Sequence, residues 1–135
     1  MARVTGIGGV FFKSSSDPKI LSAWYEKNLG IRLESWGGAI LRWPEDKAED
    51  DGLTVWNVAA ADSEWFAPSR SGFMINYRVD DLAGILAQLA DDGARILAGP
   101  EHAENGSFAW VLDPDGNKVE LWEPLRWDEK NKHRA

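Results

Sequence analysis

The side chain of this sequence that most suggests a functional site is a carboxylate in the middle of a predicted strand. Glu120 lies between Val119 and Leu121, and the alternation of a strand places it on the opposite face from both, together with Trp122. A carboxylate that faces a polar cavity lined with aromatic rings loses hydration and is suited to accept a proton. The other interpretation is a structural glutamate held by hydrogen bonds.

Two further side chains are candidates for binding or catalysis. Arg78 ends a predicted strand, and its guanidinium group can pair with a carboxylate or phosphate of a ligand through two hydrogen bonds. It can equally pair with Glu120 or lie in solvent at the rim of the cavity. His102, in the predicted loop 99–106, has the side chain most used as a general acid, base or metal ligand. A single histidine in a loop is usually just exposed.

Composition excludes several classes of function. The chain has 135 residues, a formal net charge of -7 and no cysteine. Since nucleic-acid binding depends on neutralising phosphates and no basic stripe is present, we expect no nucleic-acid partner. Without cysteine there are no disulfides, thiolate metal sites or cysteine nucleophiles. No signal-like segment or membrane-spanning apolar run occurs, so we expect a cytoplasmic protein that binds no membrane.

The elements that position these residues follow the same order twice along the chain. The first half contains a helix that starts at the N-cap Asp17 and ends at Gly30. The second half contains a helix that starts at Asp80 or Asp81 and ends at Gly93. Predicted strands surround both helices, at residues 6–13, 31–36, 39–43, 53–59, 73–79 and 94–98 and in a closing hairpin around the turn 113–117.

Each half therefore has the order β-α-β-β-β, which is an internal repeat of one supersecondary unit. We predict an α+β protein in which each module covers one face of its sheet with its helix and leaves the other face to curve around a cavity. The boundaries are a first module at 1–60, a linker at 61–72, a second module at 73–124 and a polar tail at 125–135. Leu125 and Trp127 could anchor that tail, and its His133 is incidental.

Four motifs in this order resemble the vicinal oxygen chelate superfamily, the group of glyoxalases, bleomycin resistance proteins and extradiol dioxygenases. They are the helix end Trp24-Tyr25…Leu29-Gly30, the segment Val79-Asp-Asp-Leu82, the turn Asp113-Pro-Asp-Gly-Asn117 and the ending Glu120-Leu-Trp122. The resemblance covers roughly residues 5–124. It implies paired modules that form a cupped mixed sheet with helices on its outer face, usually completed by a homodimer.

The resemblance also implies where a metal would bind. In metal-dependent members, His, Gln or Glu side chains hold the ion in the cup. Glu120 occupies the position of the C-terminal Glu ligand, whereas the other three positions fall at Gly9, Thr54 and Met74. Glycine has no side chain and a thioether is a poor ligand for a hard divalent ion, so we expect no tightly bound catalytic metal. A divalent metal held by Glu120, His102 and a residue of another chain is the remaining hypothesis.

The predicted cup is lined by aromatic side chains with a few hydrogen-bonding groups, which is typical of a small-molecule site. Alternation assigns Lys118, Glu120 and Trp122 to the cup in the last strand. The candidate ligand-binding residues are Phe11, Thr54, Trp56, Met74, Asn76, Arg78 and Trp122.

Three hypotheses of function follow. The first is a glyoxalase- or bleomycin-resistance-like protein that binds a small aromatic or anionic organic ligand without a catalytic metal. The second is a metal-dependent lyase, isomerase or dioxygenase that uses Glu120. The third is a catalytically degenerate member that serves only as an interaction or regulatory module, and a cup occluded by Trp56 and Trp122 would support it. Fold-level likeness alone does not decide between them.

Overall fold

The computed structural model of the protein describes residues 7–46 and 53–124. They form two helices, a short 3-10 turn and one mixed four-stranded sheet with the order β1-β4-β3-β2. The elements are α1 (Pro18–Leu29), the 3-10 turn (Trp43–Glu45), β1 (Ile75–Arg78), α2 (Leu82–Asp91), β2 (Arg95–Ala103), β3 (Gly106–Leu112) and β4 (Lys118–Pro124). No helix of the described ranges is long and apolar enough to cross a bilayer. Gly6, Leu125, Trp127 and His133, on which sequence predictions rest, lie outside those ranges.

Both helices start and end where the capping residues predict. The side chain of Asp17 accepts a hydrogen bond from the Lys19 amide at 2.9 Å, and Gly30 leaves α1 with a positive φ of 68°. The side chain of Asp81 accepts from the Gly84 amide at 3.0 Å, which selects Asp81 over Asp80 as the N-cap of α2. The predicted helices are therefore confirmed.

The second half of the chain forms the predicted β-α-β-β-β unit. β1 pairs in parallel with β4, and β3 pairs with β4 and β2 in antiparallel fashion, so the sheet is mixed as predicted. The turn between β3 and β4 closes through a hydrogen bond from the Gly116 amide to the Asp113 carbonyl at 2.9 Å. These elements confirm the α+β class.

One face of the sheet forms the hydrophobic core with both helices. Val119 and Leu121 of β4 and Ala109 and Val111 of β3 are buried against side chains of α1 and α2, and Leu89 is fully buried at the centre of α2. Alternation along β4 then turns Lys118, Glu120 and Trp122 toward the other face, as the sequence predicts.

The first half of the chain differs from the prediction. Residues 7–13, 31–36, 39–43 and 53–59 form no hydrogen-bonded strands, although the predicted turn at Gly37 is present, with the Gly37 amide 2.9 Å from the Glu34 carbonyl oxygen. Most large apolar side chains in these segments are exposed, although the Phe12 ring lies 6.1 Å from that of Tyr25 and Ile31 packs against the core. Alternation of apolar and polar residues indicates a tendency to form a strand. A strand also needs a neighbouring strand with which its backbone can pair.

Strand β2 is longer than predicted. It runs through Gly99 and Pro100 to Ala103, so His102 lies in a strand and the prediction of a loop at 99–106 is wrong for most of its length. The pairing of β2 with β3 shifts register between Ala98 and Glu101. This irregularity accommodates Pro100, which has no amide hydrogen to donate to the ladder.

A buried polar cluster joins α1 to the turn between β3 and β4. Asp113 is buried, and its Oδ2 accepts hydrogen bonds from the Tyr25 hydroxyl and the Asn117 Nδ2, both at 2.8 Å. Its Oδ1 accepts from the amides of Asp115 and Asn117, both at 2.9 Å. The ring of Tyr77 lies 5.8 Å from that of Tyr25. This cluster fixes the helix of the first half against the sheet of the second.

The buried Tyr25 and the half-buried Tyr77 predict a loss of stability at high pH. Burial, reinforced by the negative charge of Asp113, raises the pKa of Tyr77 from 10.0 to about 12, and burial beside Tyr77 and Asp113 raises the pKa of Tyr25 as well. A folded-state pKa above the unfolded value stabilises the protein fully below pH 10.0, and this contribution disappears as the pH rises toward about 12.

Because the chain has only these 2 tyrosines, tyrosinate absorbance should appear together with the loss of circular dichroism in an alkaline titration. A tyrosine that ionises near its ordinary pKa while the helical signal stays intact would contradict this expectation.

Candidate functional site

Three polar side chains form a row across the face of the sheet that is turned away from the helices. Asn76, Glu120 and Trp110 are register partners on β1, β4 and β3. The Asn76 Nδ2 donates to Glu120 Oε1 at 2.7 Å, and the Trp110 Nε1 donates to Glu120 Oε2 at 2.8 Å. Glu120 is only 8% exposed, so the strand holds this carboxylate in place with both oxygens engaged by neutral donors.

Three aromatic rings with nearly parallel planes stand beside this row. The Phe108 ring lies 6.3 Å from the Trp110 ring at an interplanar angle of 13°, and 6.0 Å from the Trp122 ring at 5°. We call the face that carries these rings the cup face, which comprises Asn76, Arg78, Phe108, Trp110, Lys118, Glu120 and Trp122. Parallel rings at such spacings stack on one another, so a planar molecule can extend the stack at the outer face of a terminal ring such as Trp110.

The position of Trp122 depends on the start of β3. Trp122 is buried, and its Nε1 donates to the Asn105 carbonyl at 2.9 Å. A side chain at Gly106 would bring a Cβ within 2.6 Å of that nitrogen, and the φ of Gly106 is 137°. Glycine is therefore required there for the indole to lie flat against β3. Because Trp122 is buried beside the ring of Phe108, its main contact is with that ring and not with solvent.

Arg78 makes a different ion pair from the one predicted. Its NH2 and Nε donate to Asp46 Oδ2 at 2.6 and 2.9 Å, and its NH1 donates to the Leu53 carbonyl at 2.8 Å. The pair is partly exposed, with 29% of the Arg78 side chain accessible. The guanidinium group thus holds the segments on both sides of residues 47–52 against the edge of the cup face, rather than pairing with Glu120.

The remaining candidate ligand residues divide into two groups. Phe11 and Met74 line a cavity of about 900 Å³ beside the start of β1, together with Phe12, Ile75 and Asn117. Thr54 and Trp56 are exposed, and 76% of Trp56 is accessible. Trp56 is therefore not one of the side chains that fill the cup face.

His102 does not lie near Glu120. Its Nδ1 is 2.7 Å from the Ser107 Oγ, and Ser107 pairs with Glu123, which accepts a hydrogen bond from the Leu82 amide at the start of α2. Ser107 lies two residues before the core residue Ala109 and therefore on the same face of β3, so His102 and Glu120 lie on opposite faces of the sheet. Within a single chain, His102 and Glu120 therefore do not lie together in one site.

The donor set of the cup face does not fit a divalent ion. Within residues 7–46 and 53–124, no group of three or more His, Cys, Asp or Glu side chains could hold a metal. Glu120 is accompanied there by an amide nitrogen and an indole nitrogen that act as hydrogen-bond donors, not as metal ligands. We therefore derive no chemical step through a metal from these residues.

Phe108 and Trp110 are the residues of the site that the sequence reasoning missed. Their signal was present, because Phe108 and Trp110 alternate with Ala109 and Val111 in the strand before the turn. The alternation rule that assigned Glu120 and Trp122 to the cup assigns both of these rings to the same face.

Known proteins share this arrangement of elements. The integron cassette protein VCH_CASS1 from the mobile metagenome of V. Cholerae superposes with a TM-score of 0.59 at 17% identity, covering 91% of this chain and 98% of that one. TnmS3, an antibiotic binding protein from Streptomyces sp. CB03234, superposes with a TM-score of 0.53 at 23% identity, covering 90% and 100%. No curated protein sequence matches the chain.

A family model gives the more specific finding. The model described as Glyoxalase/Bleomycin resistance protein/Dioxygenase superfamily matches residues 15–121, a range that contains both helices and all of the cup face except Trp122. The sequence motifs, the mixed sheet with its helices on one face and this match agree with one another. The chain belongs to the Glyoxalase/Bleomycin resistance protein/Dioxygenase superfamily.

Proposed function

We propose that this chain binds a planar aromatic organic molecule against its cup face and uses no catalytic metal to do so. The observation that carries the proposal is the nearly parallel set of rings formed by Trp110, Phe108 and Trp122. Aromatic surface with a few fixed polar groups is the usual composition of a small-molecule site. Here the fixed polar groups are Asn76 and Glu120, which hold each other by a hydrogen bond of 2.7 Å.

Two observations bear on the kind of ligand. TnmS3, a protein of the same fold, is described by its name as an antibiotic binding protein. An anionic ligand has less support than an aromatic one, because Arg78 already donates to Asp46 and to the Leu53 carbonyl. We therefore propose the aromatic ligand.

The proposal is tested by titrating the protein with acridine in the presence of a chelator, at a mildly alkaline pH where acridine is uncharged. Stacking of acridine on Trp110 should quench the tryptophan fluorescence saturably, with one acridine bound per cup face. Quenching that never saturates, or binding that disappears when the chelator is added, would contradict the proposal.

We also propose that the chain forms a homodimer. Large apolar side chains of the first half are exposed, among them Phe11 at 94% and Trp43 at 87%. Apolar surface of this kind usually marks an interaction site. The free edge of β1 offers a second copy backbone groups with which to pair.

Sedimentation equilibrium should give a mass of twice the 15.0 kDa chain, and Phe11→Ser should weaken the association. A wild-type protein that sediments as a monomer at high concentration would contradict the homodimer.

A further inference from the structure

The cup face contains a buried carboxylate that no cation of the described chain accompanies. The oxygens of Glu120 accept hydrogen bonds from Asn76 and Trp110, which are both neutral. Within residues 7–46 and 53–124, salt bridges join Lys27 to Asp92 and Arg78 to Asp46, and none includes Glu120. A carboxylate that is 8% exposed loses most of its hydration, and hydrogen bonds from neutral groups replace only part of it.

The two cations of the cup face are directed to other groups. Arg78 lies beside Trp122 in the register, and its guanidinium group donates to Asp46 and the Leu53 carbonyl. Lys118 lies two residues before Glu120 on the same face of β4, and its Nζ donates to the Trp65 carbonyl at 2.6 Å. Neither side chain therefore forms an ion pair with the Glu120 carboxylate.

The surroundings of Glu120 add to the negative potential of the face. Glu101 is the register partner of Phe108, so its side chain projects at the border of the same face. The faces of aromatic rings also attract cations, because the ring quadrupole is negative above and below the plane. The whole chain carries a formal net charge of -7, which favours the approach of cations over long distances.

We infer that the ligand of the cup face is a planar aromatic cation, with its positive charge against the Glu120 carboxylate and its ring stacked on Trp110. The inference rests on the proposed function and narrows it from aromatic molecules to aromatic cations. Each oxygen of Glu120 accepts one hydrogen bond from the chain, so each keeps a lone pair for the ligand. The same carboxylate rejects an aromatic anion by repulsion.

Three probes with one ring system separate charge from stacking. N-methylacridinium is a cation, acridine is neutral at mildly alkaline pH and acridine-9-carboxylate is an anion. Wild-type protein should bind the cation about tenfold more tightly than acridine, and the anion more weakly than acridine. Titration calorimetry at low ionic strength measures all three affinities.

Two variants locate the charge that selects the cation. Glu120→Gln keeps the shape of the side chain, and rotation of the Asn76 amide restores their hydrogen bond, so this variant should lose the preference for N-methylacridinium over acridine. Asp91→Asn removes the same unit of charge from the exposed surface of α2, on the other side of the sheet, and should keep the preference.

The possible results are distinguishable. Equal binding of the three probes, or a cation preference that survives in Glu120→Gln, would overturn the cationic ligand and leave the aromatic site standing. Failure of all three probes to bind would overturn both this inference and the proposed function.

Discussion

Asp113→Asn should lower the free energy of unfolding by about 3 kcal/mol, because it puts an amide where a buried carboxylate accepts four hydrogen bonds. Tyr25 and Asn117 Nδ2 donate to one oxygen, and the amides of Asp115 and Asn117 donate to the other. Turned one way, the new NH2 group faces two backbone amides, which cannot accept a hydrogen bond. Turned the other way, the Tyr25 hydroxyl and the Asn117 side chain have to reorient, and Asn117 Oδ1 gives up the hydrogen bond that it accepts from Ser71 at 2.9 Å. Urea denaturation followed by tryptophan fluorescence measures the change.

Asp115→Asn is the matched control, since it makes the same chemical change two residues away in the same turn. Asp115 accepts hydrogen bonds from Ser14, Ser15 and Ser16 at a partly exposed position, where water can replace them. Its cost should stay below about 1 kcal/mol. Equal stability losses in the two variants would mean that the buried cluster around Asp113 is not what joins α1 to the sheet.

Trp110→Leu should weaken the binding of acridine about tenfold or more, because it removes the ring at the open end of the aromatic set. The substitution also removes the indole hydrogen that is donated to Glu120 at 2.8 Å. Fluorescence titration is unsuitable when a tryptophan is replaced, so titration calorimetry is the appropriate measurement.

Trp110→Phe separates the loss of the ring from the loss of the hydrogen bond to Glu120, which occur together in Trp110→Leu. Phenylalanine keeps a ring beside Phe108 and, like leucine, cannot donate to Glu120. If stacking carries the affinity, Trp110→Phe should bind acridine within about threefold of wild type. Equal weakening in both variants would assign the effect to the hydrogen bond with Glu120 instead of to the ring.

The second half of the chain could be predicted well because its local signals and its tertiary partners agree. Asp81 and Gly93 bound a helix whose apolar stripe meets Val119 and Leu121, and the turn at 113–117 sets the register of β3 and β4. The same alternation put Glu120 on the cup face. Local pattern and global fold support each other in this half.

The other half shows what a local pattern leaves open. Segments 7–13 and 53–59 have the composition of strands, but the described chain offers them no paired edge. Arg78 likewise had several partners open to it, and its choice of Asp46 depends on how residues 32 positions apart meet. Residues 99–106 are predicted as a loop, whereas Pro100 lies within β2, where the pairing shifts register. Such features follow from tertiary contacts that a single sequence does not specify.

The most direct test of ligand binding on the cup face is the NMR spectrum of the indole N–H groups during a titration with acridine. Of the 8 tryptophans, Trp110 holds a hydrogen bond to Glu120 beside the proposed stacking surface, whereas Trp24 of α1 packs against the core on the other side of the sheet. Ring currents of the bound acridine should shift the Trp110 signal, assigned by its absence in Trp110→Phe, far more than the signal of Trp24. A shift of the Trp24 signal with the Trp110 signal unmoved at saturation would contradict the site proposed here.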